Sequence, residues 1–386
     1  MNSSRIYKPR EDSTLLENHV RQHAKGKVLD VGTGSGIQAK AAAGSKNTSS
    51  VLAVDVQKGV INYCKKCIKN RKIKFMQSDL FSKVRGKFDT IIFNPPYLPE
   101  DIRVRDITIE GGKKGYELLE RFLNDASRFL DSDGAIIILF SSLTKKEKVE
   151  EFIRNNLFDF QELEKMHIFF EDLHVYRIIK SEILKALEKN GVKSLKYFAK
   201  GHRGIIYKGI YKGKSVIIKC KNPRSMAENR IQNEAEWLKI LNKHGIGPKF
   251  LFSGKGYLAY EFVDGIFIAD CLKKSNKRQI IKILKNIFSQ MLILDKLKAD
   301  KAEMHHPYKH IIVKNRKAVL IDFERMRIAE NPKNVTQFCQ FLMNSAVSGI
   351  LAEKSIKISK SKLIELAKAY KNSKTTSNYK RIVSAL

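Results

Sequence analysis

The apolar positions of the first half come in short bursts of six or seven residues: "KVLDVG" (27–32), "VLAVDV" (51–56), "IKFMQSD" (73–79), "FDTIIFN" (88–94) and "GAIIILF" (134–140). Between the bursts the pattern stretches to the three-and-four rhythm of amphipathic helices, at about 13–23, 35–44, 58–70, 116–130 and 144–155. Strands alternating with helices predict βαβ units, and therefore a parallel sheet with helices on both faces. Two more strand candidates, near 158–170 and at "LHVYRIIK" (173–180), leave almost no room for a helix between them. They predict a terminal hairpin, so that a seven-stranded sheet carries one antiparallel strand.

The rhythm changes near residue 181. "SEILKALEKNGVKSL" (181–195) predicts a helical connector, and "KYFAKGHRGIIYKGIYKGKSVIIKCK" (196–221) carries short β-type runs separated by Gly-containing turns. A helical pattern at 227–243, a strand pair around "KFLFSGKGYLAYEFV" (249–263) and mostly helix complete the chain. This predicts two domains, 1–180 of α/β type and 181–386 of α+β type.

Composition sharpens that division. With 386 residues, 43% of them hydrophobic, the chain can bury two cores. No apolar run approaches the roughly 20 residues that span a bilayer, and "MNSSRIYKPRED" lacks a signal peptide's apolar segment, so a soluble cytoplasmic protein without a membrane partner is expected. The five cysteines (64, 67, 220, 271 and 339) are odd in number and scattered, unlike a disulfide framework. Cys64 and Cys67 form one CxxC, but no second pair completes a zinc tetrahedron and they read as helix residues. Residues 1–180 hold 31 Lys and Arg against 24 Asp and Glu, a net of +7, whereas 181–386 hold 42 against 16, a net of +26. A charge of that size repels itself unless a polyanion is near, so RNA, the ribosome or phosphate-rich ligands are candidate partners of the second domain.

Candidate chemistry gathers at the strand ends. "VLDVGTGSG" places Asp30, Gly32, Gly34 and Gly36 where the first strand turns into a helix, and glycines there let the backbone approach a bound nucleoside closely. Asp55 ends the second strand, where a carboxylate can accept from ribose hydroxyls, and Asp79 ends the third, facing an adenine amine. The fourth strand runs into "NPPY", Asn94, Pro95, Pro96 and Tyr97. Each proline removes a backbone donor and fixes φ, so this is a shaped loop rather than more strand or a new helix. The Asn94 side-chain oxygen and the Pro95 carbonyl can accept from a planar NH₂, and Tyr97 can stack on it.

Together these residues resemble a class I S-adenosylmethionine-dependent methyltransferase of the HemK-like branch, with its Rossmann-like seven-stranded fold. The opening "YKPREDSTLL" resembles that family's first segment, in which an acidic residue and its Ser or Thr neighbour close over the cofactor; here these are Glu11, Asp12 and Ser13. "GGKKG" (111–115) is similar to the family's Gly-Gly-x-Asp-Gly loop, with Lys114 in place of the acidic residue. The resemblance implies S-adenosyl-L-methionine as methyl donor, a glutamine amide of a peptide-chain release factor as acceptor, and a small zinc-binding activator subunit as partner. An adenine N6 of nucleic acid or a protein lysine remains the alternative acceptor.

The second half resembles the RIO-like and lipopolysaccharide-kinase-like atypical protein kinases over about 195–330. "KGHRGIIYKG" is similar to a phosphate-covering hairpin with Gly201 and Gly204, "SVIIKCK" supplies Lys219, "NEAEWLKIL" supplies Glu234, and "AVLIDFERM" ends a strand at Asp322, the position of a magnesium ligand. The resemblance implies ATP and Mg²⁺. In the catalytic loop "EMHHPYKHIIV" it breaks, since His305 and His310 stand where a kinase has its Asp and Asn. The expectations for this domain are phosphotransfer, nucleotide binding without transfer, or a basic RNA-docking adaptor.

Overall fold

In the computed structural model, which describes residues 7–98, 110–201, 204–222 and 229–386, the five bursts of the first half become parallel strands. They are β1 (Gly26–Val31), β2 (Thr48–Asp55), β3 (Ile73–Gln77), β4 (Phe88–Phe93) and β5 (Leu130–Ser141). Around them run α1 (Glu11–His23), α2 (Ile37–Gly44), α3 (Lys58–Cys67), α4 (Glu117–Ala126) and α5 (Lys146–Asn155). The hairpin β6 (Phe158–Ile168) and β7 (Glu171–Lys180) completes the order β3-β2-β1-β4-β5-β7-β6, with β7 antiparallel to both its neighbours. Ile91, Ile92 and Phe93 are at most 1% exposed, as strands covered on both faces require. Ala41, Ala42 and Ala43 carry nothing beyond Cβ, which lets α2 lie close against the core.

Two features of this sheet position a site. Strand order reverses between β1 and β4, and ligands of open α/β sheets bind in the crevice at such a switch point, outside the strands' carboxyl ends. The register pairs Val31 with Phe93, so the glycine turn that follows β1 opens beside the NPPY loop that follows β4.

The chain divides into two compact units, Met1–Lys196 and Tyr197–Leu386, later than the join at 180/181 that the change of rhythm suggested. The helix after β7, α6 (Glu182–Lys189), is capped by the Ser181 hydroxyl and held to the first unit by Lys180. That buried ammonium donates to both Glu188 oxygens at 2.7 and 2.8 Å, so the expected connector is part of the first unit.

β8 (Lys193–Lys200) carries the chain into the second unit, whose antiparallel sheet has the order β11-β12-β10-β9-β8. Its other strands are β9 (Gly204–Tyr211), β10 (Lys214–Lys221), β11 (Phe250–Gly254) and β12 (Tyr257–Glu261), and α7 (Arg230–Asn242) packs on it. The helical part contains α8 (Ile268–Lys274), α9 (Lys277–Lys296), α10 (Asn334–Met343), α11 (Ser345–Glu353), α12 (Lys360–Asn372) and α13 (Thr376–Ser384). Five short strands are set among these helices: β13 (Ile266–Phe267), β14 (Ala299–Asp300), β15 (Ile311–Lys314), β16 (Lys317–Leu320) and β17 (Arg327–Ile328). α9 starts at a reciprocal cap between Asn276 and Gln279, a device worth about 1 kcal/mol, and buries Ile280, Ile283, Leu284, Ile287, Phe288, Met291 and Leu294 along one face. Among the described residues no helix is long and apolar enough to cross a membrane.

Candidate active site

In the first unit a cavity of about 700 Å³ opens at the switch point. The turn after β1 needs its glycines, since Gly32, Gly34 and Gly36 have φ of 65°, 52° and 78°, a region that side chains disfavour. Gly34 N–H donates to Asp55 Oδ2 at 3.1 Å, and Gln57 N–H donates to the other carboxylate oxygen at 2.9 Å, so the end of β2 and the glycine turn are built as one piece. Burial raises the Asp55 carboxyl above its ordinary value. Gly32, Gly34 and Asp55 line the cavity.

Asp30 and Gly36 do not line it. Asp30 is 1% exposed beneath the turn and accepts from the Thr33 hydroxyl at 2.6 Å. Burial pushes its carboxyl up to about 7, against that hydrogen bond and with the charge of Asp55 adding to the shift. Gly36 is demanded by its φ of 78°, and a Cβ there would also fall 2.4 Å from Ile68 Cδ1, the tip of a side chain that would have to move. At both positions the structure shows contacts that support the turn. Asp79 does line the cavity, two residues beyond the end of β3, and accepts from Arg121 at 2.9 Å.

The NPPY loop faces the glycine turn across the cavity, with Asn94, Pro95, Pro96 and Tyr97 all in its wall. Asn94 Nδ2 donates to Asp12 Oδ2 at 2.8 Å. A carboxylate can only accept, so Asp12 dictates which way the carboxamide points. Asn94 Oδ1 is then left buried without a hydrogen-bond partner, an arrangement that costs about 1–3 kcal/mol unless a ligand N–H meets it. Tyr7, a residue the sequence analysis passed over, donates its hydroxyl to Asp12 Oδ1 at 3.0 Å and so fixes Asp12 in turn. The Ser13 hydroxyl leans on the same oxygen at 3.4 Å. Burial, then the charge of Asp12, pushes the Tyr97 hydroxyl above the usual tyrosine range, so Tyr97 presents a neutral ring to the cavity.

The "GGKKG" loop braces NPPY from behind. Gly111 N–H donates to the Leu98 carbonyl at 2.9 Å, and a Cβ on Gly111 would lie 2.5 Å from the Pro96 carbonyl, so only glycine fits. Lys114 takes part through its backbone N–H, which meets the Glu117 carboxylate at 3.1 Å. Two more lining residues had no signal in the sequence. Glu171, at the start of β7, accepts from the Ser141 hydroxyl at the end of β5, and Phe169, 85% exposed, stands at the rim on the β6–β7 turn. The Cys64 thiol donates to the Gly34 carbonyl at 3.3 Å while Cys67 is exposed, so the CxxC is part of α3.

The second unit has its own polar centre. Lys219 of β10 is 7% exposed and meets Glu234 of α7 at 2.6 Å, Asp322 at 3.0 Å and Glu324 at 3.4 Å. Burial alone would lower its pKa, but the three carboxylates carry the ammonium above its ordinary value. Asp322, with φ 63°, is held below the ordinary carboxylate range, burial being outweighed by Lys219 and Lys301. Gly201 N–H bonds the Gly204 carbonyl at 2.8 Å across the β8–β9 turn, whose tip at 202–203 lies outside the described residues. His310 faces Asp322 in a small cleft, but His305 is exposed and absent from its wall. Glu234, Asp322 and Glu324 are the only cluster with metal-binding spacing among the described residues.

Residues 9–169 match the family model described as Methyltransferase small domain. A protein of Methanocaldococcus jannaschii, assigned as a protein N5-glutamine methyltransferase, is 35% identical over 177 residues, 44% of this chain and 89% of that protein. The release factor glutamine methyltransferase of Rhodopirellula baltica is 35% identical over 132 residues, 30% of this chain and 45% of that protein. Among solved structures, the E. cuniculi Mtq2–Trm112 complex, responsible for methylating the eRF1 translation termination factor, matches at 23% identity and a TM-score of 0.38, covering 45% of this chain and 98% of that one.

Proposed function

The chain belongs to the methyltransferase small domain family, and from that premise we propose that its first unit transfers a methyl group from S-adenosylmethionine to the side-chain nitrogen of a protein glutamine, most simply one in a peptide-chain release factor. The observation that carries the reading is the buried, unpartnered Asn94 Oδ1 of a carboxamide that Asp12 orients in the cavity wall. The cavity volume, the left-handed glycine turn and the Asp55 carboxylate suit a nucleoside with a charged tail. When bound, that cofactor supplies a methyl group on a cationic sulfur.

The residues of the chain do the rest. An amide nitrogen is a poor nucleophile because its lone pair is delocalised into the carbonyl. Accepting its N–H at Asn94 Oδ1 turns the NH₂ to one orientation and shifts electron density onto nitrogen. The Tyr97 ring forms one wall and keeps the planar group from tilting, and the prolines hold the acceptors without offering competing donors. The nitrogen sheds one of its two protons after the bond to carbon is made and keeps the other, so no strong base is required beside it. Asn94→Ala is expected to reduce transfer to a glutamine-bearing release factor by at least 100-fold while S-adenosylmethionine still binds, measured by labelled methyl incorporation and calorimetry. A variant that turns over at the normal rate overturns the clamp. A small zinc-binding subunit is the partner proposed for this unit.

For the second unit we propose a kinase-like nucleotide site binding ATP and Mg²⁺. The buried Lys219–Glu234 pair beside Asp322 and the β11-β12-β10-β9-β8 sheet with α7 on it support the reading. Asp322→Ala should abolish magnesium-dependent ATP binding. Residues 197–386 hold 38 Lys and Arg against 14 Asp and Glu, and that net charge of +24 supports RNA docking by the same unit.

A further inference from the structure

The loop joining β14 to β15 carries the residues that would act on a phosphate acceptor, and the position expected to take a proton, His305, is turned away. Its ring stands 4.6 Å from that of His306, outside the cleft. Glu303, two residues earlier, is in the cleft instead, a space of about 100 Å³ that it shares with Lys301, His310, Asp322, Glu324 and Arg325. That volume is on the scale of a phosphoryl group with its acceptor.

We infer that Glu303 is the proton acceptor of phosphoryl transfer in the second unit, an inference that rests on the nucleotide reading above. Two features place it there. Its backbone has φ 73°, a left-handed conformation that a non-glycine residue disfavours, and such strain persists only where the surroundings impose it. Its carboxylate is steered by an ion pair with Arg325 and by His310 Nε2 at 3.7 Å.

Lys301 is spent elsewhere. Its buried ammonium donates to the Ile321 carbonyl at 2.9 Å and the Asp322 carbonyl at 2.5 Å, which fixes Asp322 in its left-handed turn and leaves the Glu303 carboxylate to accept. The β15–β16 hairpin, with Ile321 N–H on the His310 carbonyl at 2.9 Å, sets the two halves of the cleft against each other.

In the reaction the oxygen of an acceptor hydroxyl bonds to the γ-phosphorus of a nucleoside triphosphate. The bond from that phosphorus to the bridging oxygen breaks, and the diphosphate leaves with its electron pair. The hydroxyl proton passes to a Glu303 carboxylate oxygen and from there to water.

The test uses the full chain with Mg²⁺ and γ-labelled ATP, following phosphate release and labelling of the chain itself, beside ATP affinity by equilibrium dialysis. Glu303→Gln is expected to slow both by about 100-fold or more with ATP affinity within about threefold of wild type, and Glu303→Asp to recover part of the rate. A Glu303→Gln protein within tenfold of the wild-type rate removes Glu303 as acceptor and leaves the nucleotide reading standing, as does a wild type that binds ATP without turning it over. A wild type that binds no ATP overturns both.

Discussion

Asp30 shows how one buried residue ties the site to the stability of the unit around it. Its carboxyl sits at about 7 in the folded chain against an ordinary 3.8, so between those values the folded state holds a proton that the unfolded state has lost. By linkage, stability from this group is complete below about pH 4 and is lost as pH rises through about 7, up to roughly 4 kcal/mol. Asp30→Asn keeps an oxygen for the Thr33 hydroxyl and removes the titration. Urea unfolding from about pH 4 to about pH 8 is therefore expected to fall more shallowly in the variant, the two chains differing most on the alkaline side. Parallel slopes would mean that Asp30 ionises without cost. At this scale the strand-end residues Asp55 and Asn94 were legible because each closes an apolar burst. The Asp12–Asn94 bond joins positions 82 residues apart and no local pattern announces it. Glu303 was missed for a related reason, since a left-handed backbone, and not its place in a motif, turns it into the cleft.

Elements were legible in proportion to their length. β1, β2, β4 and β5 are mostly buried in their carboxyl halves, and each carries an apolar burst there, whereas β13, β14 and β17 have two residues each, too few for a period to emerge. β5 begins at Leu130, before the apolar run, because Asp131, Ser132 and Asp133 are strand residues on an exposed stretch. The turn between β1 and α2 was read as a ligand cradle throughout, yet its last glycine answers to α3. At Gly36 a side chain would meet both a φ of 78° and Ile68 at 2.4 Å. Gly36→Ala is expected to cost the first unit about 1–3 kcal/mol and to weaken S-adenosylmethionine binding through displacement of the turn, read by thermal unfolding with and without the cofactor. Wild-type stability with normal cofactor affinity would show that the turn and α3 adjust independently.

At the scale of the molecule the change of rhythm near 181 precedes the boundary between the two units after Lys196, and what no rhythm could show was the ion pair that keeps α6 with the first. Each unit has a core of its own, one gathering residues from Leu15 to Val175 and the other from Ile231 to Ile382. Ligands that bind only the folded form of one core should therefore move only that core's transition. At about 100 times its dissociation constant a ligand adds about 2.7 kcal/mol, and units of this size shift by roughly 2–4 °C per kcal/mol. Scanning calorimetry of the full chain is accordingly expected to show a transition raised by about 5–10 °C with S-adenosylmethionine, and a different one raised with ATP and Mg²⁺. Asn94→Ala should preserve the first shift, and Asp322→Ala should erase the second. A single transition that both ligands raise together would show that the two cores melt as one body, and the separate assignment of a methyl site and a nucleotide site would then rest on direct binding to each variant.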